Sequence, residues 1–320
     1  MDKFIIEGGT PLKGTIKISG SKNAALPIIA ASLLGSSEST ITNIPRLQDI
    51  YTINNVLRVV GAKVDFKDQE NTLIIDPTGV SYLEAPYDLV RKMRASFYML
   101  GALVGKHGYA KVSLPGGCSW GPRPVDLHLK GMEAMGIVIS LDKGYVIAKA
   151  SDKKLKPSSF KLEPSSVGAT VNLLLSAVLR SEKFSIENAA MEPDVVQLCN
   201  VLVKMGANIE GIGTDRITVH GVDKLDGVVI ENDPDRIEVG TFMIAGVLHP
   251  DSELRLEGCK AEHLGNLPEL LAKTGADVQI DGSIISVKAP KELASVSIAT
   301  EVYPGFPTDM QAQWAIMLTQ

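Results

Sequence analysis

The chain has 320 residues, an apolar fraction of 45%, a charged fraction of 22% and a formal net charge of −5, a profile of a globular protein long enough for two domains with separate cores. It carries no basic tract, and its seven Tyr and seven Phe are not interleaved with basic residues, which argues against a base-stacking nucleic-acid surface. No apolar run reaches the length of a membrane span, and the apolar start at residues 1–6 meets Gly8 and Gly9 too early for a signal peptide.

The three cysteines, Cys118, Cys199 and Cys259, are odd in number and far apart, so no disulfide framework is expected and the compartment is read as the cytoplasm. The five histidines (His107, His128, His220, His249 and His263) lack ligand spacing, and no Cys-x-x-Cys pair occurs; no metal is expected.

In chain order, residues 1–20 read as a strand pair. Residues 24–34 then read as a helix, 39–42 as a strand and 47–60 as a second helix. The phrase Val59-Val-Gly-Ala-Lys-Val64 ends that helix and opens a strand, and a further β-rich run follows at 72–76. The same order returns with helices 95–106 and 124–135 around strand 110–114, then 167–179 and 193–205 around 183–186, then 239–248 and 267–273 around 253–256. Gly61, Gly136, Gly206 and Gly275 stand just past the second helix of each copy, where the chain favours left-handed backbone. The period is about 70 residues, and units of this size must pack on one another to bury their apolar faces.

First helices begin near Asn23, Arg94, Ser166, Glu238 and Asp309, about 71 to 72 residues apart. Several helix N-termini converging make a receptor for phosphate or carboxylate groups. Lys22-Asn23, Arg94, Ser165-Ser166 and Thr308-Asp309 mark these starts, although Ser, Thr, Asp and Asn also serve as ordinary helix caps. The last helix, residues 308–320, lines up Met310, Trp314 and Met317 or Leu318 on one face, and without the rest of its copy that stripe is expected to lie uncovered unless another element reaches it.

Between strand 110–114 and the following helix lies Pro115-Gly-Gly-Cys-Ser-Trp-Gly-Pro-Arg-Pro-Val-Asp-Leu-His128. Its glycines and prolines predict an exposed loop that presents the Cys118 thiol, with Arg123 near enough in sequence to lower the thiol pKa. Cys199, in an apolar helix, reads as a core residue, and Cys259 follows a strand at a turn.

Gly20-Ser-Lys-Asn-Ala-Ala-Leu-Pro27, Met93-Arg-Ala-Ser96, Pro115-Gly-Gly-Cys118, Gly121-Pro-Arg-Pro-Val-Asp-Leu-His128, Ser166-Val-Gly-Ala-Thr170 and Phe306-Pro-Thr-Asp-Met-Gln-Ala-Gln313 together resemble the UDP-N-acetylglucosamine 1-carboxyvinyltransferase (enolpyruvyl transferase) family across the whole chain. The resemblance implies an α/β (α+β) enolpyruvyl transferase fold, an inside-out α/β barrel of repeated βαβαββ units in two domains. Residues 21–233 would form the first domain, with three repeats, the UDP-sugar cradle and the catalytic cysteine loop. Residues 1–20 plus 234–320 would form the second, incomplete because about a quarter of the family's chain would lie beyond Gln320. The implied reaction moves the enolpyruvyl group of phosphoenolpyruvate to the 3′-hydroxyl of UDP-N-acetylglucosamine and releases phosphate, as the first committed step of peptidoglycan synthesis. No cofactor is implied, and the expected partners are the two small substrates, with no nucleic acid and no membrane; a monomer is expected.

Residue by residue, the resemblance makes Cys118 the acid that protonates the methylene carbon of phosphoenolpyruvate, Lys22 and Arg94 the holders of its anion, and Asn23 an orienting group between the two substrates. Arg123, Pro124, Val125, Asp126 and Leu127, with Ser166, Val167 and Gly168, would cradle the nucleotide. Asp309 would take the proton from the sugar hydroxyl. Two positions depart from the family pattern: Pro164 stands where some relatives have a lysine, and Trp120 is a bulkier neighbour for Cys118. Two alternatives remain, a non-catalytic UDP-sugar-binding fragment and a shikimate 3-phosphate enolpyruvyl transferase; the second lacks the loop cysteine and the Arg-Pro-Val-Asp-Leu motif.

Overall fold

A computed structural model describes residues 3–90, 93–115, 125–151 and 154–320. The chain divides into two compact units, Gly20–Asp233 and Met1–Ser19 with Pro234–Gln320. In order, the elements are β1 (Lys13–Lys17), α1 (Lys22–Ala31), β2 (Ser39–Thr42), α2 (Gln48–Val59), β3 (Lys63–Lys67) and β4 (Thr72–Asp76), followed by β5 (Glu84–Ala85), α3 (Tyr87–Val90), α4 (Tyr98–His107), β6 (Tyr109–Ser113), α5 (Asp126–Ala134), β7 (Val138–Asp142) and β8 (Tyr145–Lys149). The third copy comprises β9 (Ser158–Lys161), α6 (Val167–Ala177), β10 (Phe184–Glu187), α7 (Pro193–Lys204), β11 (Asn208–Glu210) and β12 (Arg216–His220). Then come β13 (Val229–Glu231), α8 (Arg236–Ala245), β14 (Glu253–Glu257), α9 (Leu267–Lys273), β15 (Asp277–Asp281), β16 (Ile284–Lys288) and α10 (Gln311–Met317).

The first helix of each copy in the larger unit is apolar almost all round. In α1 every residue from Ala24 to Ala31 is buried, in α4 every residue from Met99 to Gly105, and in α6 every residue from Ala169 to Ala177. A helix with no polar face can be stable in water only at the centre of a fold. The second helices α2 and α7 have one apolar stripe and one exposed side, and the sheets turn alternate residues outward, as β3 and β7 do. Helices therefore lie inside and sheets outside.

Four four-stranded sheets among the described residues share one order: β13-β2-β4-β3, β5-β6-β8-β7, β9-β10-β12-β11 and β1-β14-β16-β15. The first strand in each order runs parallel to the second, and the remaining pairs are antiparallel. The repeat read from the sequence as helix, strand, helix, strand, strand is thus preceded by a short parallel edge strand. β5 has two residues and β13 three, too few to show an alternating pattern. The strand pair expected over residues 1–20 is a single strand, β1. Phe4, Ile5 and Ile6 are largely exposed, and Gly8, Gly9 and Pro11 separate them from it.

The four helix-ending glycines Gly61, Gly136, Gly206 and Gly275 all have positive φ, between 94° and 112°, as their place after the second helix requires. The stripe on the last helix is covered by other elements, the second of the two outcomes the sequence left open. Met310, Trp314 and Met317 are buried with Val239, Met243, Leu267 and Phe306 of the smaller unit, and Trp314 meets the Phe306 ring edge-on at 5.3 Å; Leu318 is exposed. Among the described residues no helix is long and apolar enough to cross a membrane.

The central contact of the larger unit is α4 on α6. Gly101 and Gly105 lie one turn apart on the α4 face that meets α6, and a methyl group added at Gly105 would come within 2.2 Å of the Leu175 carbonyl oxygen. Alanine normally favours a helix over glycine by about 1 kcal/mol, yet here the backbones would have to separate. Gly105→Ala is expected to lower stability by about 1–3 kcal/mol in urea unfolding, and an increase would refute the close approach.

Candidate functional site

Three of the expected site segments sit at the starts of the central helices. Ser21 caps α1: its hydroxyl accepts the Ala24 N–H at 3.1 Å and donates to Asp194 Oδ1 at 3.1 Å, its N–H donates to the Asp233 carbonyl at 2.7 Å, and its carbonyl accepts from Asn232 Nδ2 at 2.9 Å. Every polar group of Ser21 is engaged, which fixes where Lys22 and Asn23 begin. Gly20 before it admits no side chain, since a Cβ there would lie 1.7 Å from the Asn43 carbonyl oxygen. Lys22 forms an ion pair with Asp49 in the first turn of α2, at 3.1 Å. Asn23 is exposed, and Pro27 supplies no N–H to its carbonyl.

Arg94 is half-buried in a 3-10 turn, Arg94–Phe97, that leads into α4. The Asn172 side chain reaches from α6 across this join: Gly101 N–H donates to Asn172 Oδ1 at 2.9 Å, and Asn172 Nδ2 donates to the Phe97 carbonyl at 3.2 Å. The remaining Nδ2 proton points to His128 Nδ1 at 2.8 Å. A backbone N–H can only donate and a carbonyl can only accept, so the amide orientation follows from its partners. His128, 4% exposed in α5, packs edge-on against Phe97 at 5.4 Å. Burial first, and then the Arg94 charge, push its pKa down to about 4 against the opposing effect of Asp126.

Ser166 caps α6, its hydroxyl accepting the Ala169 N–H at 3.3 Å. Val167 and Gly168 follow, half-buried, and their N–H groups belong to the first helical turn, which has no intrahelical acceptors. A Cβ at Gly168 would stand 3.2 Å from His128 Cε1 and 3.3 Å from Nε2, so this turn and the His128 ring are in contact. Val125 and Leu127 pack against the core, while Asp126 is exposed and pairs with Lys130 at 3.3 Å. Tyr98, one turn past Arg94, has its pKa raised to about 12, by burial and by Asp194, against the effect of Arg94.

The larger unit thus brings Arg94, His128 and the turn Ser166 to Gly168 into one connected group, with Lys22 and Asn23 at the start of the neighbouring helix α1. Cys118, Arg123 and Pro124, with Trp120, lie outside the described residues. Asp309 belongs to the smaller unit, exposed in the 3-10 turn Thr308–Met310. Among the described residues no group of three or more His, Cys, Asp or Glu could hold a metal ion. Cys199 and Cys259 are buried, and burial pushes their thiols up to about 12 and about 11.

Asp49, Asp194 and Asn172 were not singled out from the sequence, and His128 only as the end of a motif. For the two acids a signal existed: α2, α5, α7 and α9 each carry an acid in the first turn, namely Asp49, Asp126, Asp194 and Glu269. A favourable helix-dipole interaction accounts for all four on its own, so the position did not mark them. Asn172 falls inside an apolar run, and only its partners reveal its use.

The sequence matches the family EPSP synthase (3-phosphoshikimate 1-carboxyvinyltransferase) over residues 6–320. The fold is similar to that of the enolpyruvyl transferase NikO from Streptomyces tendae, with a TM-score of 0.86 and 26% identity over 98% of this chain and 74% of that one. An EPSP synthase structure from Acinetobacter baumannii gives a TM-score of 0.70 at 20% identity, over 92% of this chain and 68% of that one. The protein has the enolpyruvyl transferase fold. Proteins named UDP-N-acetylglucosamine 1-carboxyvinyltransferase are 48% identical in Halothermothrix orenii and 46% in Chloroherpeton thalassium, over all of this chain and 76% and 74% of theirs. The relative in Staphylococcus aureus N315, UDP-N-acetylglucosamine 1-carboxyvinyltransferase 1, is 46% identical over all of this chain and 76% of its own. The chain belongs to the enolpyruvyl transferases and, among them, to the UDP-N-acetylglucosamine 1-carboxyvinyltransferase family.

His128 has a consequence for acid stability. Its ordinary pKa of 6.5 falls to about 4 on folding, so between these values the unfolded chain binds more protons, and the stabilisation present above pH 6.5 is lost as pH falls towards 4. The loss at the acid end is about 3 kcal/mol. Urea unfolding of the chain and of His128→Phe at pH 7 and pH 5 measures it: the drop between the two pH values should be smaller in the variant, and equal drops would remove His128 as the cause.

Proposed function

We propose that this protein transfers the enolpyruvyl group of phosphoenolpyruvate to the 3′-hydroxyl of UDP-N-acetylglucosamine, releasing phosphate, in the first committed step of peptidoglycan synthesis. The observation that carries this reading is 46–48% identity along the whole chain to relatives of that name. Shikimate 3-phosphate is disfavoured as acceptor, because the EPSP synthase structures are 20% identical.

In this reading Lys22 and Arg94 hold the phosphoenolpyruvate anion and offset the charge that grows on the departing phosphate. The ion pair of Lys22 with Asp49, about one-third exposed on both sides, is worth little in water, so a doubly charged ligand can replace the carboxylate. Asn23 orients the two substrates. The N–H groups of Val167 and Gly168, at the positive end of α6, suit a diphosphate, alongside Ser166 and the segment Arg123, Pro124, Val125, Asp126 and Leu127.

Chemically, the sugar oxygen bonds to C2 of phosphoenolpyruvate as its proton passes to Asp309 and a proton from Cys118 goes to C3. Loss of phosphate, with a proton from the new methyl group, restores the double bond. The protein's own groups supply the acid, the base and the cations. The same reading assigns the protein to the cytoplasm as a monomer needed for cell-wall growth, and hence for cell shape and division. It also makes Cys118 the group alkylated by the phosphonate epoxide fosfomycin.

The second reading is UDP-sugar binding without turnover; the chain spans 74–76% of the length of those relatives. Phosphate release from phosphoenolpyruvate and UDP-N-acetylglucosamine, measured beside binding of the nucleotide sugar, separates the two. Turnover supports transfer, binding alone supports the second reading, and neither in a folded chain refutes both.

Fosfomycin should modify a single thiol in the native chain. Cys118→Ser is expected to abolish modification, whereas Cys199→Ser and Cys259→Ser should leave its rate within about twofold, since buried thiols with raised pKa are inert; mass mapping of adducts on either buried cysteine would contradict this. Asp309→Asn should lower kcat by about 100-fold or more with little change in nucleotide affinity, and equal losses in both would make Asp309 a binding residue.

A further inference from the structure

We propose that His128 is a ligand-binding residue of the nucleotide cradle, its Nε2–H donating a hydrogen bond to an anionic oxygen of the diphosphate held at the start of α6. The proposal rests on the nucleotide-sugar reading of that turn and adds to it a donor that the cradle motif did not assign. Three geometric facts support it.

First, the tautomer is fixed from behind. Asn172 is fully buried; its Oδ1 is occupied by Gly101 N–H and one Nδ2 proton by the Phe97 carbonyl, which leaves the other Nδ2 proton for His128 Nδ1 at 2.8 Å. A nitrogen that accepts a hydrogen bond carries no proton, so the neutral ring bears its proton on Nε2. Two further influences keep the ring neutral at pH 7: its burial, and the Arg94 charge, with Asp126 acting the other way.

Second, the protonated edge of the ring faces the cradle. The Cε1–Nε2 edge is the part of His128 that a Cβ on Gly168 would touch, at 3.2 and 3.3 Å. Glycine at this position lets the ring and the first turn of α6 approach closely, and places an imidazole N–H beside the helix N–H groups.

Third, among the described residues no acceptor meets Nε2, although the residue is 96% removed from solvent, its exposure being 4%. Nε2 itself is not among the fully enclosed polar atoms that lack a partner, so it lies where a ligand can reach it, and a donor on a ring this buried gains from an acceptor. The partner that fits the surroundings is an anion, because the positive end of α6 and the charge of Arg94 act on the same spot. Asn172 is then a positioning residue that holds the ring and its tautomer.

The test uses the chain with 15N-labelled histidine, titrated with UDP. The expected spectrum at pH 7 shows His128 neutral and protonated on Nε2, and UDP shifts this N–H and slows its exchange with water. In His128→Phe, which keeps the ring volume and the edge contact with Phe97, the Kd for UDP should rise about 10- to 100-fold, the range for a buried hydrogen bond to a charged group. Should the variant fail to fold, the spectrum of the unaltered chain decides. A proton on Nδ1, a charged ring, or an Nε2–H left unperturbed in a chain that binds UDP overturns the proposal. A folded chain that binds no UDP overturns the nucleotide-sugar reading on which it stands.

Discussion

The close approach of α4 and α6, with the Asn172 amide bridging them, is the constraint on which the rest of the larger unit depends. Gly101 and Gly105 remove the side chains that would keep the helices apart, and the gap admits one polar group, the Asn172 carboxamide, with its oxygen and both its protons engaged. A buried amide with an unmet valence would cost about 1–3 kcal/mol; a saturated one instead selects a single axial register between the helices. A slip of one residue in α4 would break two of these hydrogen bonds together, and a slip in α6 would break all three. Arg94 at the start of α4, His128 on α5 and Gly168 at the start of α6 inherit their relative places from that register.

Around this centre the sheets are assembled in a cyclic order. Each copy supplies three strands, and the fourth is the short parallel strand that precedes a first helix. For the first copy that strand is β13, paired with β2 in the register Val229 to Thr40, Ile230 to Ile41 and Glu231 to Thr42. The last strand of the larger unit therefore closes on its first, and the loop between them contains the other two copies. Asn232, just past β13, donates to the carbonyls of Ser21 and Asn43. The chain closure and the placement of Lys22 and Asn23 are consequently one arrangement: the residue that ends the cycle is bonded to the cap that begins the site.

The sequence carried the periodic part of this design well. Helix α9 begins and ends where the apolar spacing predicts, and α2, α6 and α7 come within two residues at each end; a glycine stop marks the end of α2, α7 and α9, and a long apolar run marks α6. The edge strands escaped notice since two or three residues have no period, and their partners lie far away in sequence. Helix-start residues such as Ser166 and Arg94 were legible through their spacing of about one repeat. The groups that hold them were not: Asn172 reads as one polar residue in Thr170-Val-Asn-Leu-Leu-Leu175, and nothing local distinguishes a bridging amide from a poorly placed one. What covers the stripe of the last helix was not legible for a related reason, as Met310 and Trp314 are buried with Val239 and Leu267, which lie well upstream in the sequence.

On the proposed reading, acids at the starts of the second helices keep the start of α1 in place before an anionic ligand arrives. Asp49 holds Lys22, and Asp194 holds the cap one residue before it. The two carboxylates differ in what they can give up. Asp49 is one-third exposed and its ion pair with Lys22 is screened by water, so a phosphate can displace it at little expense. Asp194 is buried and accepts from a buried hydroxyl, and removing it would leave Ser21 without an acceptor for its proton. One acid is thus exchangeable and the other fixed, and on the proposed reading this difference in solvent exposure would let the Lys22 side chain move to a ligand while the backbone that carries it stays in position.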